Sequence, residues 1–116
     1  MEINVDQTPN VVVLRLKGRL DLASGTELKE RVKELFDQEK TFLHLNLDGV
    51  EFINSSGLGA LVSTMKETRL RKGRLTLSNL ASYVQEIFDI TQLSHIFEIF
   101  TTEEEALNSY TAPVTK

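Results

Sequence analysis

Residues 42–59 read FLHLNLDGVEFINSSGLG, and this stretch decides the fold. Apolar side chains occupy every second position over Leu43–Leu47, as on one face of a β-strand. The turn-forming pair Asp48-Gly49 is expected to end that strand, and a short apolar segment follows. Asn54–Gly59 then opens a segment with apolar residues at helical spacing, which predicts a helix to about Lys72. The stretch therefore predicts a strand that leads directly into a helix.

Upstream of this stretch, the pattern predicts a hairpin and a first helix. Ile3–Val5 and Val11–Leu16 are β-type segments separated by a turn that contains a proline. The first of these strands is expected to pair antiparallel. Ser24 and Glu27 have the spacing of a capping box, and apolar residues recur after them at helical intervals as far as Phe36. A helix over this segment would connect the hairpin to the next strand.

Downstream, strands and helices continue to alternate. Apolar residues predict a strand at about 75–79, a helix over about 81–89 and a strand over 96–100. Thr102 and Glu105 again have capping-box spacing and are expected to start a last short helix.

The order of these elements predicts the fold class. Gly73 occupies the position of a glycine that ends the second helix. Strands that alternate with amphipathic helices imply right-handed crossovers, so we expect an α/β fold. Its sheet should be mixed, mostly parallel and four- to five-stranded, with about four flanking helices. Residues 1–109 are expected to form one domain and residues 110–116 a flexible C-terminal tail.

Length and composition exclude several classes of protein. The 116 residues suit one domain, and the absence of cysteine excludes disulfide scaffolds and cysteine-ligated metal sites. The net charge of −4 disfavours a non-specific nucleic-acid binder. No apolar run approaches the roughly 20 residues of a membrane span, and the first ten residues do not resemble a signal peptide. A cytoplasmic protein is therefore expected.

Charge is unevenly distributed along the chain. Residues 1–74 hold 12 basic and 11 acidic side chains, whereas residues 75–116 hold one basic and six acidic. Five of the basic residues crowd into positions 66–74. These regions could be ordinary solvated surface or patches that bind a protein partner.

Side-chain chemistry concentrates in Asn54–Gly59. Two of the six glycines lie there, although glycine in a helix costs about 0.8–1.0 kcal/mol relative to alanine. Missing side chains would let another molecule approach closely. Ser55 is open to three interpretations. It could cap the helix; it could belong to a phosphate-binding turn, although neither usual glycine pattern is present; or it could accept a regulatory phosphate at the positive end of the helix dipole.

The other candidate sites have little support. His44 and His95 have no second histidine or cysteine at ligand spacing, so no metal site and no cofactor are expected. Asp21 and Asp48 precede loops and suit turns better than acid–base catalysis. No catalytic residue is nominated, and an enzyme is not expected.

Three stretches resemble STAS domains, specifically the small anti-anti-sigma factors. Asp48–Gly59 resembles the family signature, in which Asp-Ser-Ser/Thr-Gly-Leu-Gly begins the second helix. Gly18–Asp21 resembles the Gly-x-Leu-Asp that follows the second strand, and Val84–Leu93 resembles the third helix and its following loop. The similarity extends over about residues 3–108. One position differs, because Asn54 stands where the family usually has aspartate.

The resemblance implies a STAS fold and a mechanism of regulation. Ser55 would be phosphorylated by a serine kinase of the histidine-kinase-like ATPase fold, which is also the anti-sigma factor, and a PPM-type phosphatase would reverse this step. The unphosphorylated protein would bind the kinase and release the sigma factor. Ser56 is a lesser candidate for the acceptor. The residues implied to bind the partner are Asp21, Asn54, Ser55, Ser56, Gly57, Leu58 and Gly59.

A second function of a different class stays open. The same fold could serve as a constitutive interaction or scaffold module, in a signalling complex or associated with a transporter, without a phospho-switch. The neutral Asn54 and the uneven charge leave room for it. Neither hypothesis requires direct contact with nucleic acid or a membrane, and a monomer is the expected state.

Overall fold

The computed structural model describes residues 1–111, and residues 112–116 lie outside the described part. Strands and helices alternate along the chain after an initial hairpin. The elements are β1 (Glu2–Gln7), β2 (Val12–Leu20), α1 (Leu22–Asp37), β3 (Phe42–Ile53), α2 (Ser55–Leu70), β4 (Arg74–Ser78), α3 (Ser82–Ile90), a 3-10 turn (Leu93–His95), β5 (Glu98–Phe100) and α4 (Glu103–Thr111).

The strands form one sheet in the order β1-β2-β3-β4-β5. β1 pairs antiparallel with β2, and the three following pairs are parallel. The predicted α/β class and the mixed, mostly parallel sheet are confirmed. Each crossover moves one strand further in the same direction, so right-handed connections put α1, α2 and α3 on one face. α4 packs on β3, β4 and β5 from the other face.

The main core lies between the sheet and the three crossover helices. Leu14, Leu45 and Leu77 of neighbouring strands are fully buried in one cluster with Leu28 of α1 and Leu61 of α2. Burying one leucine side chain stabilises a fold by about 1.5–3 kcal/mol. This layer therefore fixes the positions of α1 and α2 relative to the carboxyl ends of β2 and β3.

A polar network lies on the opposite face of the sheet. The ring nitrogens of the buried His44 lie 2.7 Å from the Thr76 hydroxyl and 2.7 Å from the Ser78 hydroxyl. Burial lowers the pKa of His44 to about 4, so the ring is neutral at pH 7. The Tyr110 hydroxyl lies 2.9 Å from that of Thr76 and donates to the backbone oxygen of Leu43. These contacts attach the last turn of α4 to the sheet.

The prediction of a flexible tail from residue 110 is wrong for Tyr110 and Thr111. The structure places Tyr110 and Thr111 in α4, because the half-buried Tyr110 ring is held by hydrogen bonds to the sheet. Residues 112–116 of the predicted tail lie outside the described residues.

The first helix begins earlier than predicted. Its N-cap is Asp21, which accepts a hydrogen bond from the Ser24 N–H at 3.2 Å. In return, the Ser24 hydroxyl accepts a hydrogen bond from the Asp21 N–H at 2.8 Å. The proposed box of Ser24 with Glu27 is therefore wrong. The cap moves because β2 continues to Leu20 and the chain turns immediately after it.

Two other predicted boundaries also change. β3 does not end at Asp48-Gly49. It continues because Gly49 and the residues after it still pair with β2, beyond a register shift between the two strands. A Cβ on Gly49 would lie 2.9 Å from the Leu16 oxygen, so this irregular crossing needs glycine. At the end of α2 the left-handed residue is Lys72, with φ 61°, and not Gly73. Gly73 serves packing, since its Cβ would lie 2.0 Å from the backbone oxygen of Thr41.

Candidate functional site

The two predicted binding segments meet at one edge of the sheet. β2 and β3 are parallel neighbours, and Leu20 is paired with Ile53 at their carboxyl ends. Asp21 and Asn54 therefore leave the sheet side by side, and the Asn54 N–H donates to the Leu20 oxygen at 3.3 Å. The carboxyl edge of parallel strands is where open α/β sheets present their sites.

Asn54, not Ser55, caps α2. The Asn54 backbone is extended, and its side-chain oxygen accepts a hydrogen bond from the Gly57 N–H at 2.9 Å. Ser55 is the first residue of the helix. The capping interpretation of Ser55 is therefore wrong, because the preceding amide already fills that role. Ser55 and Ser56 are exposed, and within residues 1–111 neither hydroxyl makes a hydrogen bond.

The two glycines of this turn have different roles. Gly57 is buried, and a Cβ there would lie 2.1 Å from the Leu20 oxygen and 2.7 Å from its carbonyl carbon. This glycine is required for α2 to approach the end of β2. Gly59 is exposed, and apart from its chain neighbours and the adjacent backbone of α2, no described atom lies within 4 Å of a Cβ built on it. Packing within the described chain therefore explains Gly57 and leaves Gly59 unexplained.

The first turns of α1 and α2 border a small surface groove of about 160 Å³. Leu22, the first residue of α1, is 70% exposed beside it. Sequence reasoning missed Leu22, although placing the cap at Asp21 would have identified it as an exposed apolar side chain. The lining residues are Leu22, Gly25, Thr26, Lys29, Ser56, Gly59 and Ala60.

Leu58 and Asp21 are only partly available to a partner. Leu58 is half-buried against the main core. The Asp21 carboxylate is engaged by Ser24, and these hydrogen bonds, first from the N–H and then from the hydroxyl, lower the pKa of Asp21. Arg19 adds a smaller effect of the same sign. Its guanidinium lies 3.8 Å from the centre of the Phe52 ring.

Charge at the start of α2 favours an added anion. The first turn of this 16-residue helix contains no acidic side chain, and the helix dipole is positive at this end. Lys29 lies on the neighbouring groove. The arrangement therefore presents an exposed hydroxyl, Ser55, where a phosphate is electrostatically acceptable.

Most of the basic cluster at 66–74 makes contacts within the chain, at the protein surface. Three of its arginines have specific partners. Arg69 donates to the Ile96 oxygen at 2.7 Å, Arg71 pairs with Glu67 at 3.0 Å, and Arg74 pairs with Glu98 at 2.7 Å. Because Arg71 and Arg74 are paired with carboxylates, the net positive charge of this surface is smaller than the sequence suggested.

The described residues contain no group of three or more side chains suited to hold a metal ion. The polar contacts of His44 are hydroxyl groups. Over residues 1–111, no helix is long and apolar enough to span a membrane.

The fold and motif agree with a comparison against known families. A family model described as STAS domain matches residues 2–106. The chain belongs to the STAS domain family.

Several relatives that match this chain are named anti-sigma factor antagonists. An anti-sigma-B factor antagonist of Bacillus subtilis is 35% identical over 90% of this chain and 96% of its own length. Among solved structures, TM1081 of Thermotoga maritima has a TM-score of 0.88 with 24% identity, over 94% of each chain. Bacillus SpoIIAA in its phosphorylated form is 26% identical, with a TM-score of 0.73 over 93% of this chain and 98% of its own.

Proposed function

We propose that this STAS domain is an anti-anti-sigma factor that is switched off by phosphorylation at Ser55. The observation that supports the proposal most is that the capping residue of α2 and the candidate acceptor are different residues. Asn54 caps the helix, and this leaves the Ser55 hydroxyl exposed and without a hydrogen bond among the described residues. Homologues that are anti-sigma factor antagonists, and a structural relative in a phosphorylated form, support it.

In its unphosphorylated form, the protein would bind an anti-sigma serine kinase of the histidine-kinase-like ATPase fold. The binding surface would include Asp21 and the exposed part of Asn54–Gly59, with Leu22 beside it. Gly59 supports this assignment, because it weakens the helix without a packing reason in the described fold. An open position there would let the partner's backbone approach α2 closely.

The chemical step would be a phosphoryl transfer from ATP. The Ser55 oxygen forms a bond to the γ-phosphorus, the bond to the β–γ bridging oxygen breaks, ADP leaves, and the hydroxyl proton goes to a base of the kinase. A PPM-type phosphatase would hydrolyse the ester and release inorganic phosphate. Ser56 is the lesser candidate acceptor, since it faces the α1–α2 groove.

Phosphate would act through charge rather than through a change of shape. A phosphoserine carries about −1.5 to −2 charges at pH 7. At the first residue of α2, the helix dipole accepts that charge, so the fold stays intact. In a close-packed interface, the same dianion must lose its water and meets any acidic group of the kinase, so binding weakens.

The other expectations are part of the same proposal. The protein would act as one domain and a monomer in the cytoplasm, without catalytic activity or direct contact with nucleic acid or membrane. Its output would pass through the kinase to the sigma factor.

Mapping the phosphate tests the acceptor. The full chain is incubated with ATP and, one at a time, the serine kinases of this fold from the same organism, and phosphopeptides are mapped by mass spectrometry. We expect phosphate on Ser55, unchanged incorporation in Ser56→Ala and none in Ser55→Ala. Phosphate elsewhere, or none with any of these kinases, would overturn the proposal.

The neutral Asn54 favours one alternative, a constitutive STAS interaction or scaffold module, in a signalling complex or associated with a transporter. Such a module would retain a non-kinase partner regardless of charge at residue 55. Co-purification that is the same for wild type, Ser55→Ala and Ser55→Asp would favour it.

A further inference from the structure

A groove of about 840 Å³ lies between α3 and β5, at the far side of the sheet from β1. It is larger than the groove beside Ser56, at about 160 Å³, and shares no lining residue with it. None of its lining residues belongs to the Asp21 or Asn54–Gly59 segments. We call it the α3–β5 groove. It is therefore a surface separate from the proposed kinase-binding site.

β5 forms one wall of this groove and is an edge strand. Its three residues pair with Thr76–Ser78 of β4. Within residues 1–111, no main-chain hydrogen bond joins Glu98–Phe100 to anything else. Edge strands are usually protected by being very short, by a charged side chain, by a proline or by a covering element. Here the only charged residue, Glu98, is turned to Arg74, while Ile99 and Phe100 line the groove.

An open edge of this kind can accept one more strand. An extended peptide that adds to a sheet edge gains main-chain hydrogen bonds, and alternate side chains fill neighbouring pockets. The groove supplies apolar surface for such side chains from Leu80, Tyr83, Phe97 and Ile99.

The charge of the groove selects the partner. Its charged lining residues are Glu86 and Asp89 of α3, and both are acidic and exposed. Neither forms a salt bridge among the described residues. A second copy related by a two-fold axis would bring the same carboxylates against them, which is unfavourable. A segment with lysine or arginine beside apolar residues would be complementary.

We propose that the α3–β5 groove binds an extended, basic and apolar segment of a partner protein as an added strand beside β5. Because Ser55 does not line the groove, a partner bound there would stay bound whether or not Ser55 is phosphorylated. The domain could thus be tethered while its kinase contact is switched.

NMR on the full chain tests the proposal with defined probes. The probe is a capped hexapeptide of alternating lysine and valine. Two matched peptides serve as controls: one has glutamate in place of lysine, and one carries N-methyl groups that block strand pairing. We expect saturable amide shifts confined to α3, β5 and the 3-10 turn with the first peptide, weakened by salt, and at least about tenfold weaker binding of both controls.

The variants below change only exposed residues, so we expect each to fold like wild type. Glu86→Lys with Asp89→Lys should weaken binding about tenfold, whereas Glu27→Lys with Glu30→Lys, the same charge change on α1, should not. Ser55→Asp should bind like wild type. Shifts elsewhere, equal binding of either control peptide, or an unchanged Glu86/Asp89 variant would overturn the proposal. Loss in Ser55→Asp would contradict the separation of the two surfaces, and concentration-dependent shifts without peptide would indicate a second copy as occupant.

Discussion

Gly57 and Gly59 lie two residues apart in α2 and should respond oppositely to alanine. A Cβ at Gly57 would meet the Leu20 oxygen at 2.1 Å and its carbonyl carbon at 2.7 Å, and these are backbone atoms that cannot rotate away. Such overpacking costs about 3 kcal/mol, and the better helix propensity of alanine returns about 1. Gly57→Ala should therefore lose about 2 kcal/mol, whereas Gly59→Ala, with open space, should gain up to about 1.

Urea denaturation with a common slope measures both changes. The two variants should differ by about 3 kcal/mol in the free energy of unfolding. A Gly57→Ala protein as stable as wild type would refute the close-packing argument. A binding measurement then distinguishes an effect on stability from an effect on partner contact. Gly59→Ala should bind the anti-sigma kinase more weakly although the variant is more stable than wild type. Unchanged binding would remove Gly59 from the proposed contact surface.

Three further predictions concern the cap and the polar network. Asn54→Ala should lose about 1 kcal/mol of unfolding free energy while Asn54→Asp loses none, as measured by urea denaturation; equal losses would contradict the cap. His44 has a pKa of about 6.5 in the unfolded state and about 4 in the folded state. The contribution of the neutral ring to the free energy of unfolding is therefore complete above about pH 6.5. Towards pH 4 this free energy should fall by at most about 1.4 kcal/mol per pH unit. His44→Asn should show a shallower pH dependence in urea titrations, and identical slopes would contradict burial of a neutral ring. Tyr110→Phe should lose about 1 kcal/mol and speed amide exchange in α4; no change would show that the hydroxyl contacts with Thr76 and the Leu43 oxygen are not needed to hold this helix.

The order of elements could be predicted because it depends on local periodicity. Apolar residues alternate over Leu43–Leu47 and recur at helical spacing in α1 and α2, and each pattern fits only one kind of element. The same local reasoning failed at Asp48-Gly49. Both residues favour turns, but the pairing of this segment with β2 keeps it in an extended conformation.

The details of the site could not be predicted, because they depend on where the strands end. Asn54 and Ser55 are both good caps. Which one caps α2 follows from the pairing of Leu20 with Ile53, which no local pattern specifies. The phase of α2 then decides that Gly57 faces the sheet and that Gly59 faces outwards.

In the proposed function, phosphate on Ser55 controls the binding of an anti-sigma kinase. Titration calorimetry of that kinase with unphosphorylated protein, and with protein fully phosphorylated at Ser55, measures it most directly. Ser63→Ala, at an exposed serine of α2 outside the proposed binding surface, serves as the matched control and should bind like wild type before phosphorylation. We predict at least about tenfold weaker affinity for the phosphorylated form, with the fold intact by circular dichroism. Equal affinities of the two forms would contradict the account.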